Sequence, residues 1–227
     1  ALRRDGFDND IECSLVDAPP GFRIDGGVIP GAAHEARMTL TLPDEPPHEV
    51  VTLAMEGRAS RRLRSRSEFV RPAIPAENMM QAFIWYHLVP VENWKVAVSG
   101  GSVPKMPLKV VMSDKRIVLP REGKARLNVL PVSKKVPLDE LHVQLNELTK
   151  GITASIVSDP MTTTAIEFDV SSGAFDPGFR GNLIVSVFKE STPAPTEDNP
   201  APRSRRTEYG FLPAIPFEIS TRSSSPR

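Results

Sequence analysis

Ile11-Glu12-Cys13-Ser14-Leu15 sets an apolar side chain at every second position. A period of two belongs to a strand with one buried face; a helix would bring apolar residues back every three or four. Outward from this run the pattern recurs. Met38, Leu40 and Leu42 alternate with Thr39 and Thr41, and Val51, Leu53 and Met55 with Thr52, Ala54 and Glu56. Turn formers bound each run: Pro19-Pro20-Gly21, Asp25-Gly26-Gly27, Pro30-Gly31 and Pro43 to Pro47. Further runs fall at Val110–Met112, Ala125–Leu130, Leu141–Leu145, Ile166–Val170 and Leu183–Phe188. Short strands at this spacing predict an antiparallel all-β chain, either a sandwich or a barrel.

Composition agrees. The chain has 227 residues with 28 basic and 28 acidic side chains, so no net charge draws it to nucleic acid. Pro 23 and Gly 14 together make 37 of 227 residues, which favours many turns over long helices. The single Cys13 excludes an internal disulfide and a cysteine zinc cluster. No apolar run nears the roughly 20 residues that cross a bilayer, and no membrane insertion is expected.

Aligned with itself, the chain repeats. At an offset of 130, Ile11, Cys13 and Leu15 meet Leu141, Val143 and Leu145, and Gly21-Phe22 meets Gly151-Ile152. Ala36, Met38 and Leu40 meet Ile166, Phe168 and Val170; then, with two residues gained, Val51, Leu53 and Met55 meet Leu183, Val185 and Val187. Each copy ends on one tetrapeptide, Pro72-Ala73-Ile74-Pro75 and Pro213-Ala214-Ile215-Pro216. The second copy carries strand-like runs between Pro107 and Leu141 that the first has no room for, so the first copy reads as truncated at its N-terminus. Between the copies, Met79–Val98 is expected to form a closing strand followed by an extended linker.

Candidate sites are sparse. Arg58, Arg61, Arg62, Arg64 and Arg66 place five guanidiniums within nine residues, and Arg203, Arg205 and Arg206 occupy the matching loop of the second copy. Such forks suit sulfate or carboxylate, so a polyanion is the ligand to expect if these loops bind one; a solvated strand connection is the plainer reading. Trp85, Tyr86 and Trp94 could stack on a sugar, or could pack within or between domains. Asp5, Asp8 and Asp10 crowd one turn, either a hairpin tip or a calcium site. His34, His48, His87 and His142 stand at no metal-ligand spacing. Ser99-Gly100-Gly101-Ser102 is not a nucleophile elbow, and no phosphate-cradling loop occurs. No catalytic residue, cofactor or metal is expected.

Arg4-Asp5-Gly6-Phe7, Pro20-Gly21-Phe22, Pro72-Ala73-Ile74-Pro75-Ala76-Glu77, Met80-Gln81-Ala82-Phe83 and His87-Leu88-Val89-Pro90 together resemble planctomycete-type secreted proteins that carry pre-peptidase C-terminal domains. The resemblance implies two tandem immunoglobulin-like β-sandwiches, residues 1–90 and 107–220, joined by a linker at 91–106 and followed by a disordered tail at 221–227. It also implies a secreted, periplasmic or cell-surface location and a larger multidomain parent. The expected role is a non-catalytic spacer or interaction module. Its partners would be other domains of the same polypeptide and an extracellular polysaccharide or protein, with no nucleic acid. Two alternatives stand beside it: an acidic-polysaccharide or carbohydrate-binding module, and the accessory region of a peptidase whose catalytic domain lies outside these residues.

Overall fold

The computed structural model describes residues 1–3, 6–31, 33–45, 47–62, 66–81, 84–98, 105–132, 137–146, 150–158, 164–191 and 203–221. Among them there is no α-helix, and the chain is all-β. It divides into two compact units, residues 1–36 with 40–101 and residues 37–39 with 102–227. Of the expected tail at 221–227, residues 222–227 lie outside the described residues.

The first unit holds β1 (Ile11–Val16), β2 (Arg23–Asp25), β3 (Val28–Ile29), β4 (Thr39–Thr41, its first residue counted with the second unit), β5 (Val51–Arg62), β6 (Arg66–Pro72), β7 (Ala76–Gln81), β8 (Trp85–Pro90) and β9 (Trp94–Val96). Its main sheet runs β3-β1-β5-β6, with β9 also on β5; β2 pairs with β4 and β7 with β8. The alternation that opens the sequence is kept: along β1, Ile11, Cys13 and Leu15 are half-buried while Glu12 and Ser14 are exposed. Two expectations for 79–98 are corrected. Met79–Gln81 and Trp85–Pro90 lie on the two paired arms of the β7–β8 hairpin instead of a single closing strand, and Trp94–Val96, within the expected linker, is a strand paired to Val51–Leu53.

The second unit holds β10 (Leu108–Val110), β11 (Ile117–Leu119), β12 (Gly123–Pro131), β13 (Leu141–Leu145), β14 (Ile152–Ser158), β15 (Thr164–Val170), β16 (Arg180–Leu183), β17 (Val185–Ser191), β18 (Arg205–Phe211) and β19 (Ile215–Ile219). The sheet β10-β12-β15-β14 contributes Leu127, Val129, Ile166, Phe168 and Val170 to one core; β11-β19-β16 and β13-β17-β18 contribute Leu119, Ile215, Phe217, Val185 and Val187. Burial of alternate residues from several sheets in one cluster is sandwich-like packing. Parallel pairing occurs between β11 and β19; the other ladders with a described register are antiparallel.

The repeat seen in sequence has a counterpart in pairing. The order β1-β5-β6 in the first unit matches β13-β17-β18 in the second, and β2-β4 matches β14-β15. Leu15 faces Met55 and Leu145 faces Val185, so both strands keep the offset of 130. The two-residue gain expected ahead of β5 is therefore not there. The shift comes later: the Ala73 amide donates to the Met55 carbonyl and the Leu212 amide to the Val185 carbonyl, which puts the shared tetrapeptide two residues further along in the second unit. Gly21 and Gly151, aligned in sequence, both adopt positive φ, +87° and +93°. Each leads a buried residue, Phe22 or Ile152, into the unit.

Candidate functional site

The arginine run is part of a hairpin and not a free loop. Arg58 lies within β5, Arg61 and Arg62 close it, and Arg66 opens β6; Arg62 stands opposite Arg66 in the ladder. Arg64 lies outside the described residues. Arg58 is already engaged: its Nε and Nη2 donate to Glu56 Oε1 at 2.8 and 2.7 Å, with Glu68 at 3.9 Å. Side chains two apart on a strand share a face, so Glu56 and Arg58 meet without a turn.

The second hairpin repeats this compensation. Arg203 is exposed, and Arg205 and Arg206 open β18 opposite Ser191 and Glu190. Arg206 Nε donates to Glu208 at 2.5 Å and both terminal nitrogens to Gln144 Oε1 at 3.2 Å. Its guanidinium carbon lies 3.5 Å from the centre of the Phe188 ring, against which His142 stacks at 5.5 Å. An anion arriving at Arg206 would have to displace a carboxylate, an amide and a ring contact.

The aromatic residues are not gathered. Trp85 and Tyr86 are successive residues of β8 and point to opposite faces, while Trp94 sits on β9 opposite Leu53. A sugar ring stacks on aromatic faces presented to one side, which the adjacent Trp85 and Tyr86 do not offer together.

The carboxylate turn is used internally. Asp10 Oδ1 accepts the Gly31 amide at 2.9 Å, and Asp5 lies outside the described residues. Among the described residues no three His, Cys, Asp or Glu side chains group as metal ligands. Burial pushes the Cys13 thiol up, away from the thiolate that makes a cysteine a nucleophile. An open cleft of 350 Å³ borders β12, with Asp114, Arg116, Arg126 and Asn128 in its lining; Arg116 is held by Glu218 at 2.8 Å. The serine-glycine segment 99–102 lies outside the described residues.

Two charged arrangements were not legible in the sequence. Arg3 ties the first unit's opening segment together, donating to the carbonyls of Asn9, Pro30 and Ala33 at 2.7, 2.7 and 2.8 Å. Glu167, buried on the outer face of β15, accepts from Lys124 at 2.6 Å and Arg126 at 2.9 Å. Those two cations, against the opposing effect of burial, hold its carboxyl below the usual range, and Glu167 in turn raises Lys124. Both depend on contacts between residues far apart in sequence; only the Lys124-Ala125-Arg126 alternation hinted at a charged outer face.

The chain matches no family model, no curated protein and no solved structure.

Proposed function

We propose that the chain is a non-catalytic module of a larger exported protein, two immunoglobulin-like β-sandwiches in tandem that space or present other domains of the same polypeptide. The observation that carries this reading is the repeated strand order, β1-β5-β6 and β13-β17-β18, beside which no three His, Cys, Asp or Glu side chains group together among the described residues. Duplication of a framework lengthens a chain; a catalytic centre needs a nucleophile, a base and a site to hold the reacting atom. The ion-paired state of Arg58 and Arg206 supports the same reading over a polyanion site. The secreted setting and the peptidase-associated parent rest on the sequence resemblance alone.

Assays of the full chain on generic peptide and ester substrates test this. The expected outcome is no turnover above buffer. Turnover abolished by replacing one Ser, His or Asp would overturn the proposal, and specific retention on a glycan array would replace it with a binding function.

A further inference from the structure

Among the described residues, the β7–β8 hairpin region carries six exposed large hydrophobic side chains. Met79, Met80, Ile84, Trp85, Tyr86 and Leu88 are all exposed, Ile84 by 79% and Trp85 by 78%. They are shared between both faces: Met80 and Tyr86 pair on one, while Met79 and Trp85 stand on the other. From Asn78 to Val91 the sequence has no Asp, Glu, Lys or Arg; Glu77 and Glu92 end the uncharged stretch at the hairpin's base.

We propose that this hairpin enters the interfacial layer of a lipid surface. Two-sided exposure decides between occupants. A second copy packed face to face would cover one face of each hairpin and leave the other in water, and a strand added at the edge would cover neither. A sugar would stack on Trp85 or on Tyr86, not both. A lipid interface surrounds whatever enters it. Trp and Tyr, with an apolar body and a polar tip, suit that layer. The depth is limited by the backbone, because the outer edges of β7 and β8 need water or headgroups, which the hydrocarbon core does not provide. Six-residue strands reach about 20 Å, ample for entry of about 5–10 Å and too short to cross. This departs from the sequence expectation of no membrane insertion, although no helix among the described residues is long and apolar enough to span a bilayer. It stands independently of the spacer reading.

The absence of cations in the hairpin gives the proposal a distinctive signature: binding to neutral lipid, indifferent to salt. The full chain with Trp94→Phe, which leaves Trp85 as the single tryptophan, is mixed with vesicles of phosphatidylcholine alone. Expected are a blue shift of Trp85 emission, quenching by brominated acyl chains, and co-flotation unchanged between about 50 mM and about 500 mM NaCl. Replacing Ile84, Trp85 and Leu88 together by Ser in the native chain should lower partitioning by about tenfold per residue while leaving the unfolding midpoint in place. No blue shift and no flotation would overturn the proposal. So would binding that requires anionic lipid and is lost in salt, which would point to the arginine hairpins, or a lipid-free dimer dispersed by the same triple replacement, which would assign the hairpin to a second copy. Quenching of Trp85 is read without the triple variant, so a folding defect there does not rescue the idea.

Discussion

At Gly151 the backbone sits at φ +93°, and a Cβ built there would lie 2.4 Å from the Ala174 Cβ. Gly123 has a similar φ of +96° but nothing within 4 Å. The pair separates backbone strain from collision. Gly123→Ala should cost about 1–2 kcal/mol, from conformation alone, and Gly151→Ala about 2–4 kcal/mol, since Ala174 must also yield. Urea unfolding of both variants checks the order; equal losses would show that the loop around Ala174 gives way freely. Glu167 makes a second residue-scale prediction. Its folded carboxyl titrates below the unfolded one, so its contribution to stability is present above the unfolded value near about 4.3 and is lost as pH falls through the folded value. Lys124 runs the other way: raised by Glu167, it contributes below its unfolded value and loses that contribution as alkaline pH rises through the folded one. Glu167→Gln should therefore flatten the acid side of the stability profile, measured as the urea midpoint against pH. An unchanged acid slope would mean that these cations leave the pair's stability untouched.

At the scale of elements, one tetrapeptide occurs in two settings. Ile215 belongs to β19, flanked by β11 and β16, and is 0% exposed; Ile74 precedes β7, which pairs with β8, and is 73% exposed. Ile215→Ala should cost about 2–5 kcal/mol, and Ile74→Ala less than about 0.5 kcal/mol. Chemical denaturation of the two variants decides it, and a comparable loss at Ile74 would mean that its apolar surface is covered in solution. The same contrast shows what could be read from the sequence. Strands with one buried face, such as Ile11–Val16 and Leu141–Leu145, announced themselves because burial acts on alternate residues. β7 and β8 did not, because Met79, Met80, Trp85 and Tyr86 occupy both faces and leave no period to read. The arginine run looked like a loop because charge says nothing of pairing, whereas Arg62 stands opposite Arg66 in a ladder. Carboxylate partners of Arg58 and Arg206 two residues away along the strand were in plain sight, and strand geometry alone would have found them.

For the whole molecule, the uneven distribution of buried side chains sets the order of unfolding. Of the 22 buried hydrophobic residues among those described, 20 lie in the second unit, and the first has only Phe22 and Leu53. Each fully buried Leu, Val, Ile or Phe contributes about 1.5–3 kcal/mol relative to exposure, while a domain's net stability is only about 5–15 kcal/mol. A deficit of many such residues outweighs any difference in loops or surface ion pairs, whose individual worth is about 0–1 kcal/mol. Length does not account for the gap, since the second unit is longer by only about a third, residues 37–39 with 102–227 against 1–36 with 40–101. The first unit should therefore open at lower denaturant. Both tryptophans, Trp85 and Trp94, lie in the first unit, and the second has none. Half-buried Trp94, paired with Leu53, reports on that unit alone. In a urea titration the tryptophan transition should precede the main loss of far-ultraviolet circular dichroism. Hydrogen exchange should be slower across Leu141–Leu145 and Val185–Ser191 than across Ile11–Val16 and Val51–Arg62. A single transition with coincident optical signals and equal protection of the four strands would refute this order, because it would require the two units to unfold as one cooperative body despite their unequal cores.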